Sequence, residues 1–351
     1  MTHDTGSSES AVVTIAALGI AFIIILALLL VLSPEPAEAL YYFFAGPLLT
    51  GYHFGNLLNL ASVLIFTGLG AALAFRAGLI NLGGEGQIYI GAFITTITAL
   101  AVSAPAVSPF AGGTGVLLAL VAGTCAGAGI AAISGLLRAF WNTDELLSSF
   151  LLAGAVIPVI NYIISGPLRD QSGYLLATRE VPEQFLFRFL MPPSNLNMGI
   201  FTVIVLVIIT FLFLSYTTWG YRWTLCGKNR EFARYGGIPV NRYLIFPMVI
   251  SGGLHGAGGG TWVLGTAHRC SVGVTSGMGW NGIVTALIAR NNPLLVVPSA
   301  LLIAYIESGA EVAMVQTNFS FELGSLVQAV ILFFITASNL VIPFYRKRRV
   351  G

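Results

Sequence analysis

Continuous apolar runs constrain this chain more than any other feature. Residues 11–32, 57–75, 115–137, 146–164 and 199–219 contain no charged side chain. Each is close to the roughly 20 residues that a helix needs to cross a bilayer. In hydrocarbon, backbone N–H and C=O groups must be satisfied within a helix or around a closed barrel. The runs do not alternate between apolar and polar residues, which argues against a barrel. What remains is an all-α polytopic membrane protein. Only 9% of the residues are charged, against about 25% in a soluble domain. The 41 glycines suit spans that pack closely through small residues.

Taken in order, the chain predicts about ten transmembrane helices. Residues 11–32 form the first. Ala37-Glu38-Ala39 resembles a signal-peptidase site. However, the first ten residues lack Lys and Arg, and the run exceeds the roughly 7–15 residues of a signal core, so the span is read as retained. Residues 34–56 are an external stretch whose aromatics suit the membrane interface. Residues 57–75, 87–102, 115–137, 146–164, 199–219 and 243–265 follow as spans. Thr143 or Asp144 caps the fifth, and Pro158 kinks it. Residues 166–197 form an external loop with room for a short helix. A short eighth span (280–289), a tight turn at 290–293, a ninth span (294–309), an external piece (311–322), a tenth span (323–343) and a basic tail complete the chain. Together they make one transmembrane domain over 1–351.

Lys and Arg set the orientation. With ten spans and both termini cytoplasmic, Arg169, Arg179, Arg188 and Arg269 lie outside and the other 12 of 16 lie inside. The expected location is a bacterial cytoplasmic membrane, with the chain multi-pass.

Little here resembles an active site. The glycines at 252–260 are followed by Thr261-Trp262 without the Lys of a phosphate loop, so they read as helix packing. His3, His53, His255 and His268 are scattered. His255 has no second ligand at helical spacing, so a packed neutral side chain is the simpler reading and no metal site is expected. Glu307 and Glu311 share a helical face, either as a cation site or as the end of a solvated helix. Cys125, Cys226 and Cys270 lie apart and carry no disulfide framework.

Residues 221–242 stand out among the polar interruptions, with Arg222, Lys228, Arg230, Arg234 and Arg242. Residues 227–239 can form about two helical turns, halted at Gly236-Gly237 and by Pro239. Phe232, Ala233 and Tyr235 offer an apolar patch in a basic rim. From the residues alone, a docking helix and a plain positive-inside loop remain equally open.

This stretch resembles the coupling helix of ABC-importer permeases of the ribose and nucleoside type, with pattern G-x-N-x-x-A-A-x-x-x-G-I. Gly227, Asn229, Ala233, Gly237 and Ile238 match, and Phe232 replaces the first Ala. Residues 74–87 resemble the nucleoside branch's AFRAGLFNIG-x-EGQ. Residues 282–294 resemble its DGIAVALLGRNNPLG, with Asn281 in place of Asp. Residues 142–145 resemble its N-E-V-I-S-T opening, and Ala153 stands where an Asn is common.

The resemblance implies a type II ABC importer permease-like fold. It implies a neutral polar solute, a nucleoside first, with riboflavin or a simple sugar as the alternative. It also implies that ATPase subunits on separate chains contact Gly227, Lys228, Asn229, Arg230, Ala233, Arg234, Tyr235, Gly237 and Ile238. The remaining expected partners are a second, related permease subunit, an extracytoplasmic binding protein or lipoprotein, and the lipid bilayer, with no nucleic acid. ATP is used by the partner, and this chain binds no cofactor and is not an enzyme. Asn81, Glu85, Gln87, Asn161, Trp280 and Asn281 are candidates for the substrate path, each equally open to a role in helix packing. An ATPase-independent secondary transporter is the competing class. It would be expected to place ionisable groups along an ion path within the spans, whereas the charges here gather at span ends.

Overall fold

A computed structural model describes residues 35–103 and 113–317, with isolated positions at 19–20, 23–24, 27, 329–330 and 333. The first span (11–32), the tenth (323–343) and the basic tail fall outside the described residues, except for those isolated positions. Eleven α-helices are described: α1 (Pro36–Leu49), α2 (Gly51–Arg76), α3 (Gly84–Val102), α4 (Gly113–Trp141), α5 (Glu145–Ser165), α6 (Gly199–Tyr216), α7 (Thr218–Lys228), α8 (Arg230–Tyr235), α9 (Val240–Trp262), α10 (Met278–Ile288) and α11 (Pro293–Gln316). A 3-10 turn (Glu183–Phe185) and a π turn (Val263–Ala267) complete the list. Six of these helices, α2 to α6 and α11, are long and apolar enough to cross a membrane. The all-helical class is thus as expected, with no strand among the described residues beyond two isolated bridges.

The chain divides into two units. The first comprises residues 1–57 and 302–351. There α1 and the start of α2 occupy the stretch 34–56, so the helix of the second span begins at Gly51 rather than at 57. Pro36 begins α1, where its missing N–H costs nothing. Phe43, Gly46 and Pro47 are buried. The Tyr305 hydroxyl donates to the Phe44 carbonyl, and Val312 fills the space beside Gly46.

The second unit, residues 58–301, holds the rest. α9 lies against α4 and α3, and α4 against α3. Glycine makes this approach possible: a β-carbon at Gly256 would sit 2.5 Å from the Gly123 carbonyl oxygen, and one at Gly127 would sit 2.9 Å from the Gly256 α-carbon. At one end, an apolar cluster of Tyr89, Phe93, Ile160, Ile164, Phe185, Val263 and Leu264 is sealed by the 166–197 loop. The backbone of that loop pairs with the segment after α9: Thr178 N–H donates to the Cys270 carbonyl (2.9 Å), Val181 to His268 (2.8 Å) and Phe187 to Leu264 (2.9 Å).

Several boundaries move. The sixth span ends at Tyr216 rather than at 219, because Thr217 turns extended and caps α7 by accepting from the Gly220 N–H at 3.0 Å. The seventh span closes with the π turn. The ninth runs through Glu311 to Gln316, so the boundary expected at 309 is absent.

Candidate functional site

The site begins at the basic end of the second unit. Asn229 caps α8, its Oδ1 accepting from the Phe232 N–H at 2.9 Å. At the other end, Ile238 N–H donates to the Ala233 carbonyl (3.1 Å) and Gly237 N–H to the Arg234 carbonyl (3.0 Å). Gly237 has a positive φ of 74°, so this is a Schellman stop. A six-residue helix gains little from its own hydrogen bonds; here both ends are tied by the Asn and Gly of the sequence pattern. The structure corrects one detail. Gly227 and Lys228 end α7 and do not begin the short helix, which starts only at Arg230.

α8 has two faces. Ala233 is fully buried, whereas Phe232 is 62% and Tyr235 93% exposed. Residues three apart on a helix share a face, so Phe232 and Tyr235 project together, with Lys228 and Arg234 exposed nearby.

The other side of this segment grips the end of α2. Trp223 is buried and its Nε1 donates to the Leu73 carbonyl at 3.0 Å. Gly227 lies against the backbone of residues 76–78, and a β-carbon there would be 2.7 Å from the Ala77 carbonyl carbon. Gly78 has φ of 68°, and its missing β-carbon would meet the Gly227 carbonyl oxygen at 2.7 Å. The Arg230 guanidinium donates to the Gly78 carbonyl at 2.9 Å. Burial holds the Arg230 pKa below the usual arginine value, and Arg138 pushes the same way, while Glu145 and Cys226 oppose. Arg138 and Glu145 are themselves paired at 3.1 Å across the α4–α5 turn. Arg76 donates to the Asn291 carbonyl at 3.3 Å. The stretches 74–87, 142–145, 227–238 and 282–294, far apart in sequence, therefore meet at one end of the bundle.

From Gly78 the chain enters a buried polar joint. Asn81 and Gln87 are fully buried. Their amides pair reciprocally: Asn81 Nδ2 donates to Gln87 Oε1 at 2.8 Å, and Gln87 Nε2 to Asn81 Oδ1 at 3.0 Å. Asn81 Nδ2 also donates to the Ser251 hydroxyl of α9 at 2.9 Å, and its Oδ1 accepts from the Gly83 N–H at 3.0 Å. The Leu82 N–H donates to the Ser149 hydroxyl of α5 at 3.0 Å. One turn on from Ser251, His255 is fully buried beside Gly70 and Gly84, with Nδ1 2.8 Å from the Ser251 carbonyl oxygen. Its Nε2 has no hydrogen-bond partner among the described residues.

Glu85, in the first turn of α3, accepts from three donors before and within the first turn of α10. These are the Thr275 hydroxyl (2.5 Å) and Gly277 N–H (3.1 Å) on Oε1, and Gly279 N–H (2.8 Å) on Oε2. Further along, Tyr89 donates its hydroxyl to Asn161 Oδ1 at 2.6 Å. Trp280 is 42% exposed and packs 6.2 Å from Phe150, centroid to centroid. Asn281 is buried, and its carbonyl accepts from the Thr285 hydroxyl at 2.7 Å.

The six predicted path residues are therefore not one cluster. Asn81 and Gln87 form a joint, Glu85 a lock, Asn161 a partner for Tyr89, and Trp280 an exposed aromatic beside Asn281. Ser251, Ser149 and Thr275 were missed. Their partners lie 170, 67 and 190 residues away, and the single sequence carries no signal for such pairings.

A family model described as the branched-chain amino acid transport system permease component matches residues 54–336. The probable riboflavin import permease protein of Treponema pallidum is 34% identical over 319 residues, covering 89% of this chain and 81% of that protein. The glucose ABC transporter permease protein TsgB13 of Haloferax volcanii is 27% identical over 337 residues, covering 92% and 85%. The guanosine ABC transporter permease protein of Bacillus subtilis is 28% identical over 294 residues, covering 83% and 82%.

Proposed function

We propose, for a chain that belongs to this permease family of ABC transporters, that it is the membrane subunit of an ATP-driven importer of a neutral polar solute. The solute class is a nucleoside or riboflavin, with a simple sugar as the alternative. The relatives are named for riboflavin, guanosine and glucose, uncharged molecules rich in hydrogen-bonding groups. ATP is bound and hydrolysed by separate ATPase subunits. A second permease and an extracytoplasmic binding protein or lipoprotein complete the transporter in the cytoplasmic membrane, with both termini of this chain inside.

One observation supports the coupling role above the others. A six-residue helix is capped at both ends, anchored by Ala233, Gly227 and Arg230 on one side, and left with Phe232 and Tyr235 bare on the other. That arrangement suits a rigid knob for a cleft on a partner. Residues 221–242 act as the coupling segment and 166–197 as the extracytoplasmic cap. Trp280, Asn161 and Asn281 serve the solute path. Asn81, Gln87 and Glu85 support it from behind, Asn81 being bonded to Gln87 and Ser251 and Glu85 to Thr275. A partner moves the spans only if it contacts their two arrangements with different affinity.

The test is reconstitution in proteoliposomes with the ATPase subunits that co-purify with this chain, offering radiolabelled riboflavin, guanosine and glucose in turn. Uptake should require hydrolysable ATP. Replacing both Phe232 and Tyr235 by Ala should strip the ATPase from the purified permease. Uptake driven by an ion gradient alone would overturn the importer class. Full ATPase retention by the double variant would overturn the docking role.

A further inference from the structure

We infer that Glu85 is a positioning residue of the transport cycle, the lock through which movement of the coupling segment reaches α10. The inference rests on the coupling role proposed for α8 and adds the route inward from it.

Three observations combine. First, the Glu85 carboxylate occupies the start of α10. The first N–H groups of a helix have no partner within it, and a carboxylate placed there is favoured by the helix dipole. The Gly277 and Gly279 N–H groups and the Thr275 hydroxyl all point at Glu85. Gly277, at a φ of 83°, brings the chain round to this approach. Gly279 has no room for a side chain, since the Glu85 α-carbon and the Gly84 carbonyl carbon would each lie 2.5 Å from its β-carbon. α10 is thus attached to α3 through a single acidic side chain and a glycine contact beside it.

Second, α10 is short. Its 11 residues rise about 16 Å at 1.5 Å per residue, well under the roughly 30 Å of bilayer hydrocarbon. It carries Trp280 and Asn281 in its first turn. A short helix held at its start by hydrogen bonds, and seated on α2 where Gly282 meets Thr67, takes its aim from the elements that hold it.

Third, Glu85 stands at the end of a continuous path from α8. Arg230 holds the Gly78 carbonyl, and Gly227 and Gly78 touch backbone to backbone. Three residues later Asn81 is fixed to Gln87 and Ser251. Gly83 and Gly84 then lead into the turn that bears Glu85. α9, which follows α8 directly in the chain, brings Ser251 to the same joint. Both strands of the path from the coupling segment therefore converge on residues 81–87, and Glu85 is the side chain there that reaches α10.

The experiment uses the assembled permease–ATPase complex in proteoliposomes, with C125S removing the exposed cysteine. Spin labels at Ser276→Cys and Phe140→Cys, both exposed positions, report the place of the α10 start against α4. The unmodified lock should give a distance distribution that changes between the nucleotide-free and vanadate-trapped states. In E85A the nucleotide-dependent fraction should fall about tenfold, a loss of bias between two states, while ATP hydrolysis stays within about twofold. E85Q, which keeps one acceptor and loses the other, and T275V, which removes one donor at constant shape, should each give an intermediate shift. They carry the test if E85A does not assemble. A full-sized shift in E85A, or in both E85Q and T275V, overturns the inference, as does a distribution that never responds to nucleotide. Failure of the coupling role itself shows elsewhere, as retention of the ATPase by the Phe232 and Tyr235 double variant.

Discussion

α6 and α9 are both membrane-length helices of the second unit, yet they are built on opposite principles. α6 is almost wholly apolar, and Phe201, Ile204, Val205, Ile208, Ile209 and Leu212 are exposed. α9 carries glycine at six of the nine positions from Gly252 to Gly260, falls outside the six helices apolar enough to count as spans, and is buried along most of its length. Lipid tails are as apolar as leucine, so large aliphatic side chains gain nothing by leaving lipid for a helix neighbour. Close backbone approach does gain contact. In this pair the apolar helix is the one with an exposed face, and the glycine-bearing helix is the one packed on its neighbours.

The largest expected effect breaks the α9 side of this contrast. Gly256→Leu has no room, since even a β-carbon would sit 2.5 Å from the Gly123 carbonyl oxygen and 3.3 Å from the Gly127 α-carbon. Those neighbours are backbone and cannot swing away. Overpacking of this kind costs about 3 kcal/mol or more. The variant should fail to accumulate as folded protein, read by size-exclusion chromatography and thermal unfolding in detergent. A variant that unfolds at the normal temperature would mean that α9 is not a packed centre.

Next in size is the tie between the two helices. Asn197 accepts from the Gly199 N–H at the start of α6 at 2.9 Å and donates to the Gly265 carbonyl in the π turn after α9 at 3.3 Å. It also donates to Asn59 Oδ1 at 2.9 Å, and Asn59 in turn donates to the Thr266 hydroxyl at 2.8 Å. Asn197→Ala leaves buried groups unpaired, at about 1–3 kcal/mol. A lower unfolding temperature is expected, with a drop at least as large for Asn197→Asp, whose buried carboxylate would face the acceptors that Nδ2 now serves. Ile208→Ala in α6 comes third. Its side chain is half exposed, so the loss should stay within about 1 kcal/mol, far below the 2–5 of a core position. A drop as large as that of Gly256→Leu would erase the contrast.

The same contrast explains what was legible in the sequence. Helices such as α5 and α6 show themselves through apolarity, and of the two caps expected for α5, Thr143 or Asp144, it is Asp144 whose Oδ1 accepts from the Leu146 N–H at 2.9 Å. Glycines 252–260 were legible as packing, but not which helix they pack on. α1 was not assigned from the sequence, where 34–56 was an external stretch marked by its aromatics; Pro36 starts the helix. In the site, the α8 pattern was legible in residue type. Phe232, the departure from the family pattern, became intelligible only when its exposed position beside Tyr235 was visible. The polar joint was half legible. Asn81 and Gln87 stood out as polar groups in apolar surroundings, but Ser251 is one serine among many until the helices are assembled.

The smallest effect tests whether the loop beyond α9 shares the rigidity of the helix itself. His268 sits in that loop with a left-handed φ of 57°, its ring 6.0 Å from that of Phe189. Burial lowers its pKa from the ordinary histidine value. Arg269 adds to the shift and Glu180, paired with Arg269, opposes it. A histidine with a depressed folded pKa takes up its proton first in the unfolded chain. Stability conferred by the neutral ring is therefore complete above the ordinary value of about 6.5 and declines as pH falls through that value toward the lower folded one. The unfolding temperature should drop modestly on acidification through this window. His268→Gln, which cannot charge, should flatten that part of the profile while leaving the acid limb of the carboxylates in place. Glu180→Gln removes the group that favours the charged ring, so it should deepen the drop. An unchanged profile in both variants would mean that the loop yields around the charged ring, and that the packed centre ends at the π turn.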